Sequence, residues 1–324
     1  MTFAIVMRQP GPAQVLQLEP VALAPLRADE VRLRHTAIGV NFHDVYVRTG
    51  LYQTLALPGT PGIEAAGIVQ HVGADVTQWR PGDRVAYISR DYGAYAQERH
   101  IAADQLVRLP DGISDVTAAS ALLKGLTAQV LLHKVYAVQP GDWVLVHAAA
   151  GAVGTLLCQW ARQLGARVIG TVGSDAKRAW ATAAGCHHVI NYRQQDFVAA
   201  VHHITEGAGV QVAYDAIGKD TFTGSLGCLG PCGHLVNYGQ ASGPVAAIAP
   251  SALFAKSNVL SRPSVFQHLR TPALRQAAAT SLLEMLQNGG LQVPPSLQFP
   301  LREAAAAHRA LEDRQRTQPV VLIP

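Results

Sequence analysis

The chain has 324 residues, of which 49% are hydrophobic, 15% charged and only 6% aromatic. That length predicts about two domains, each with its own core, and the low charge with high apolar content excludes a disordered chain. A net charge of +4 with no run of Lys or Arg argues against nucleic acid as a principal partner, and 29 Gly and 19 Pro without a fixed period exclude collagen-like and low-complexity classes.

The opening MTFAIVMRQPG has no basic n-region, long apolar core or small-residue cleavage site. A cytoplasmic chain without a signal peptide is therefore expected. Glu30–Val40 alternates, with Val31, Leu33 and His35 on one face, and predicts a strand. Phe42–Arg48 reads as a short helix. Ala65–Val72 and Arg84–Ile88 read as strands, the latter after the turn Pro81-Gly82-Asp83, and Gly93–Ala102 as a strand pair.

From Ser114 the pattern changes. Ser114 is placed to cap a helix over Ala118–His133, interrupted near Gly125. Strands are then predicted at Trp143–His147, Arg167–Val172, His188–Asn191, Val210–Asp215 and His234–Tyr238. Helices are predicted between them at Thr155–Leu164, Ala176–Ala184, Gln194–Thr205 and Thr221–Cys228. Short apolar strands alternating with helices imply a doubly wound parallel sheet with both faces covered. Two helices, Pro272–Gln287 and Arg302–Arg314, and a strand Val320–Pro324 follow. The expected organisation is an α/β sheet domain at 125–265, inserted between a β-rich domain at 1–124 and its completion at 266–324.

Two uncharged stretches, Trp143–Ala161 and Thr221–Ala255, are broken by Gly, Pro and polar residues and do not read as membrane spans. Cys158, Cys186, Cys228 and Cys232 form no CxxC pair and read as reduced, mostly buried thiols.

The strongest chemical signal is Val144-Leu145-Val146-His147-Ala148-Ala149-Ala150-Gly151-Ala152-Val153-Gly154. It runs from strand through a small-residue turn into a helix, as a dinucleotide-binding G-x-G-x-x-G turn does. Ala149 stands in for the first glycine, and Gly151 and Gly154 match the others. Gly151 lets backbone approach a pyrophosphate, and the helix N-terminus offers free N–H groups and positive dipole. An ordinary Ala/Gly-rich turn is the bland alternative, and the βα alternation that follows weighs against it. No acidic residue ends the second strand; Gly173-Ser174-Asp175-Ala176-Lys177-Arg178 follows instead. Room at Gly173 and Ser174, with charge at Lys177 and Arg178, suits a 2′-phosphate and hence NADPH. Asp175 is expected to cap the next helix. Tyr192, after the third strand, is placed to stack on or hydrogen-bond the same adenosine end.

The motifs resemble the zinc-independent NADPH:quinone oxidoreductases of the medium-chain dehydrogenase/reductase superfamily. The resemblance is carried by Gly39-Val40-Asn41-Phe42-His43-Asp44, Arg48-Thr49-Gly50-Leu51-Tyr52, Pro61-Gly62-Ile63-Glu64-Ala65-Ala66-Gly67, Lys124-Gly125-Leu126-Thr127, His147–Gly154, Gly170-Thr171-Val172-Gly173, Val189-Ile190-Asn191-Tyr192 and Arg262-Pro263. It implies a GroES-like β-rich catalytic domain, a Rossmann domain, a cleft holding NADPH, and a homodimer. Asn41 and Thr127 would lie near the nicotinamide, and Gly151, Ala152 and Val153 at the pyrophosphate. Lys177 and Tyr192, beside Gly173 and Ser174, would bind the 2′-phosphate. Ile217, Tyr238, Gly239 and Gln240 would line the cofactor path, Ser261 would approach the carboxamide, and Arg314 would reach the cofactor. This chain has Gly151-Ala152-Val153-Gly154 where many relatives have Gly-Gly-Val-Gly.

Positions that resemble a zinc-binding Cys and His in metal-dependent cousins hold Asn41 and Ile63, and no Cys precedes Cys158. No zinc site is expected. His187-His188, His202-His203 and His43 read as surface imidazoles. The expected reaction is quinone reduction by hydride or electron transfer from NADPH, with the quinone against Asn41, Tyr46 and Tyr52. The two tyrosines are placed to donate hydrogen bonds to the developing negative oxygen. Two alternatives stand beside it: an NADPH-dependent reductase of enones, alkenals or enoyl-thioesters, and a cofactor-bound RNA-binding or crystallin-like structural protein.

Overall fold

The computed structural model describes residues 1–313 and 317–324. The packing divides the chain into two compact units, one of residues 1–123, 269–287 and 293–324, the other of residues 124–268 and 288–292.

In the first unit, β1 (Thr2–Val6) and β2 (Gln17–Val21) pair as an antiparallel ribbon. A seven-stranded sheet follows. It takes β3 (Glu30–Val40), then, after helix α1 (Phe42–Arg48), β4 (Glu64–Val72), β5 (Arg84–Ile88), β6 (Glu98–Ala102) and β7 (Leu106–Arg108). The alternation in β3 buries Val31, Leu33 and His35, as a half-buried strand should. The expected strand pair at Gly93–Ala102 is reduced to β6. Gly93, at φ +117, takes a backbone that a strand does not use.

Helix α2 (Asp115–Val130) starts where Ser114 Oγ accepts the Thr117 N–H at 3.0 Å. It runs unbroken through Gly125, contrary to the expected interruption. A helical glycine costs only about 1 kcal/mol, and the burial of Leu122 and Leu126 on either side outweighs that.

The second unit is a six-stranded, wholly parallel sheet. Its elements in chain order are β8 (Trp143–Val146), α3 (Ala152–Gln163), β9 (Arg167–Val172), α4 (Arg178–Ala183), β10 (His188–Asn191), α5 (Phe197–Ile204), β11 (Val210–Asp215), α6 (Phe222–Gly227), β12 (Leu229–Asn237), β13 (Val259–Ser261) and α7 (Val265–His268). The spatial order is β10-β9-β8-β11-β12-β13. Val144, Leu145, Val146 and Ile169 are wholly buried, which is why these strands read as continuous apolar runs. Cys158, Cys186 and Cys228 are buried thiols, with the first two sulfurs 3.5 Å apart, whereas Cys232 is exposed.

The chain then returns to the first unit with α8 (Pro272–Gln287), β14 (Leu297–Pro300), α9 (Ala304–Glu312) and β15 (Val320–Ile323). β15 lies between β14 and β3 and pairs antiparallel with β3, Val320 opposite Val40. Among the described residues no helix is long and apolar enough to cross a membrane.

Candidate active site

All strands of the second sheet point the same way, so the segments after β8, β9, β10, β11 and β12 share one edge. Ligands of open α/β sheets bind at that carboxyl edge, where strand order reverses. The reversal here is at β8, with β9 on one side and β11 on the other. The turn Ala148–Gly154 leaves β8 at this point. A Cβ on Gly154 would stand 2.2 Å from the Ala148 carbonyl oxygen, and one on Gly151 3.1 Å from it. The glycines therefore allow a tight return of the chain. Gly151 is the N-cap of α3 and no side chain caps that end. The N–H groups of Ala152 and Val153 are thus those a helix leaves for an anion. This uncapped cradle fits the pyrophosphate of a dinucleotide.

After β9, Gly173 lies against Tyr192, whose hydroxyl would be 3.1 Å from a Cβ there. Gly173, Ser174, Lys177 and Tyr192 are partly buried at this corner. Asp175 does not cap a helix as expected. Its carboxylate instead accepts from Arg178 Nε (2.8 Å), Asn191 Nδ2 (3.1 Å) and Gln194 Nε2 (2.7 Å). Arg178 also donates to the Val189 carbonyl at 2.8 Å. Its charge is therefore committed to Asp175. After β11 and β12, Gly239 approaches Ala216 so closely that a Cβ would be 2.6 Å from the Ala216 oxygen. That contact brings the Ile217 segment beside Tyr238, Gly239 and Gln240. Ser261 ends β13 with its Oγ 2.9 Å from His234 Nε2, and Thr127 lies partly buried on α2. Arg314 lies outside the described residues.

In the first unit the sequence candidates gather on and after α1. Asn41 is the N-cap; its backbone N–H donates to Asp44 Oδ2 at 2.8 Å and its side-chain amide to Glu64 Oε2 at 2.9 Å. Glu64 is fully buried and also accepts the Leu123 N–H at 2.6 Å. It fits because Gly39 has no side chain: a Cβ there would be 2.2 Å from Glu64 Oε2. Tyr46 and Tyr52 meet edge to face, ring centroids 5.1 Å apart. Phe42 lies 6.2 Å from Tyr46.

His43 is not the surface imidazole expected. It is partly buried, 5.4 Å edge-on to Tyr52 and stacked at 5.9 Å on Tyr92. Its Nε2 is 2.8 Å from the Tyr92 hydroxyl, which is 2.5 Å from Thr54 Oγ1. Burial lowers the His43 pKa to about 4, so the ring is neutral at neutral pH. Tyr92 belongs to this aromatic cluster and was not anticipated, because it sits in a turn with no periodicity to mark it.

Behind α1 runs a buried polar chain. The Tyr95 hydroxyl donates to Asp44 Oδ2 at 3.1 Å and lies 2.9 Å from His308 Nε2. Arg48 makes a two-pronged pair with Glu312 at 2.9 Å. Burial first, then the charge of Arg48, lowers the His308 pKa to about 3. Ile63, at the position where metal-dependent cousins resemble a His ligand, is buried and carries no donor atom. Among the described residues no group of three or more His, Cys, Asp or Glu is arranged to hold a metal ion.

A parallel sheet with a glycine turn at its switch point, together with an antiparallel unit bearing an aromatic cluster, defines a dinucleotide-dependent oxidoreductase. Family profiles agree: the alcohol dehydrogenase GroES-like domain matches residues 27–111 and the zinc-binding dehydrogenase domain matches residues 152–286. The chain is 41% identical to quinone oxidoreductase 1 of Escherichia coli, over 97% of each chain, and 42% identical to a 2-haloacrylate reductase of a Burkholderia species, over 100% of this chain and 99% of that one. The solved Escherichia coli quinone oxidoreductase complexed with NADPH superposes with a TM-score of 0.97 at 40% identity, covering 99% of this chain and all of that one. The chain belongs to the quinone oxidoreductase family of the medium-chain dehydrogenase/reductase superfamily.

Proposed function

We propose that this chain reduces quinones with NADPH in the cytoplasm, as a homodimer. The observation that carries the reading is its full-length likeness to a quinone oxidoreductase solved with NADPH. When bound, NADPH supplies the hydride. Ala152 and Val153 donate backbone N–H groups to the pyrophosphate, with Gly151 giving it room. Lys177 and Tyr192, beside Gly173 and Ser174, take the 2′-phosphate. Ile217, Tyr238, Gly239 and Gln240 line the cofactor path, Ser261 approaches the carboxamide, Asn41 and Thr127 serve the nicotinamide end, and Arg314 completes the set. Tyr46 and Tyr52 hold the quinone and donate hydrogen bonds as charge grows on its oxygen. The edge strand β13, with exposed Val259 and nearby Phe254, is the dimer edge, which light scattering of the purified chain checks.

The decisive assay follows NADPH and NADH oxidation with benzoquinone, naphthoquinone, 2-alkenals and crotonyl-CoA as acceptors. Quinones are expected to be reduced fastest. The relative named 2-haloacrylate reductase favours a second reading, reduction of an activated C=C bond, and faster alkenal turnover establishes that one instead. Lys177→Ala is expected to raise the KM for NADPH on the order of tenfold and leave that for NADH nearly unchanged, since a charge-assisted phosphate contact accounts for a difference of that size. An unchanged NADPH/NADH ratio removes Lys177 from the phosphate site.

A further inference from the structure

Reducing a quinone to a hydroquinone consumes a hydride and one proton. A partly buried site has to draw that proton from water through groups that exchange it. Beside Tyr46 and Tyr52 such a chain exists. Thr54 is exposed, its Oγ1 is 2.5 Å from the Tyr92 hydroxyl, and that hydroxyl is 2.8 Å from His43 Nε2. The His43 ring in turn lies edge-on to Tyr52 at 5.4 Å. Among the described residues nothing hydrogen-bonds the other ring nitrogen, Nδ1.

We propose that His43 is a catalytic proton donor to the quinone oxygen, resupplied from solvent through Tyr92 and Thr54. This rests on the reading that the quinone lies against Tyr46 and Tyr52. The quinone takes a hydride from the dihydronicotinamide and becomes the hydroquinone monoanion. The anionic oxygen takes the proton from His43 Nδ1. In the same event the Tyr92 hydroxyl proton moves to Nε2, the Thr54 hydroxyl proton moves to Tyr92, and a proton from water restores Thr54. The sum is quinone plus NADPH plus one proton, giving hydroquinone and NADP+. The ring changes tautomer and never carries net charge, and it returns to its first tautomer by exchange with solvent between turnovers. A neutral ring is what the lowered His43 pKa provides. The Tyr92 hydroxyl, by donating to Nε2, selects the Nδ1–H tautomer, whose N–H meets no hydrogen-bond partner among the described residues.

The test compares steady-state NADPH oxidation by naphthoquinone in the wild type, His43→Phe, His43→Ala with and without added imidazole, Tyr92→Phe and Thr54→Val. His43→Phe is expected to slow turnover by roughly 100-fold and Tyr92→Phe by roughly tenfold, the range of a general acid and its partner, with KM for NADPH unchanged. Added imidazole restores His43→Ala, which a purely structural role would not allow. In the protein without cofactor, ring ¹⁵N shifts of His43 report the Nδ1–H tautomer, and Tyr92→Phe mixes the tautomers. Full turnover in either His43→Phe or Tyr92→Phe overturns the proposal, as does failure of imidazole to rescue. Tyr46→Ala and Tyr52→Ala separate the two readings. If they leave the KM for quinone unchanged, the substrate placement fails. If they raise it while His43→Phe and Tyr92→Phe keep full turnover, only the relay fails.

Discussion

The phosphate turn shows how single atoms decide what the sequence permits. Ala149 replaces a glycine that dinucleotide folds favour, and its methyl is accommodated because Gly170, on the next strand, has none: a Cβ at Gly170 would be 2.7 Å from the Ala149 Cβ. Gly154 has no such latitude, since its neighbour is the Ala148 carbonyl, which is backbone and cannot swing aside. Gly154→Ala is therefore expected to destabilise the chain by about 2 kcal/mol, as overpacking does, and to raise the KM for NADPH. Denaturant midpoints and steady-state kinetics check both. The pairing of Gly151 and Gly154 was legible from their spacing. The backbone strain was not, because the positive φ falls on Ala148, at +52, and no side-chain pattern encodes a dihedral angle. Arg178 was misread for a related reason. A charge beside Lys177 in sequence looks available, but Asp175 and the Val189 carbonyl claim it.

Among the elements, α1 carries the most chemistry and is held from both ends. Asp44 accepts the Asn41 N–H and the Tyr95 hydroxyl, and Arg48 pairs with Glu312 on α9. Arg48 is almost fully buried, whereas Glu312 is 37% exposed. Glu312→Gln leaves a buried cation without its anion. Solvent at the carboxylate moderates the loss, so about 2 kcal/mol is expected, below the 3–5 typical of a wholly buried pair. Thermal melts measure it, and a lower kcat for quinone at unchanged KM for NADPH would show that α1 has shifted. The helix itself was legible, since Phe42–Arg48 has the length and pattern of one short helix. Its partners were not. Arg48 and Glu312 are far apart in sequence, and Tyr92 reaches His43 from a turn.

For the whole molecule, buried neutral imidazoles make stability depend on pH. Burial lowers His35 to a pKa of about 3, despite its hydrogen bond to the Ala96 carbonyl, and His308 to about 3. Unfolded, each returns to about 6.5. Between those values the unfolded chain binds more protons than the folded one. The stability held by the neutral rings is therefore complete above about pH 6.5 and is lost as pH falls toward 3, by up to about 1.4 kcal/mol per pH unit for each ring. Melting temperatures measured stepwise from neutral to mildly acidic pH are expected to fall, and His308→Gln is expected to flatten the slope.

The pairing of β15 with β3 also has a consequence in time. A ribosome releases β3 before the second unit and β15 after it. The first sheet therefore stays open at the Ile38–Val40 end of β3 while the second unit, whose strands are contiguous in the chain, emerges and closes its own core. During that interval β6 already pairs Glu30–Arg34, but the Ile38–Val40 end of β3 presents an unpaired edge, the kind of surface on which nascent chains associate. Synthesis of this enzyme thus has a vulnerable period that its finished form does not reveal, and the closing strand ends it.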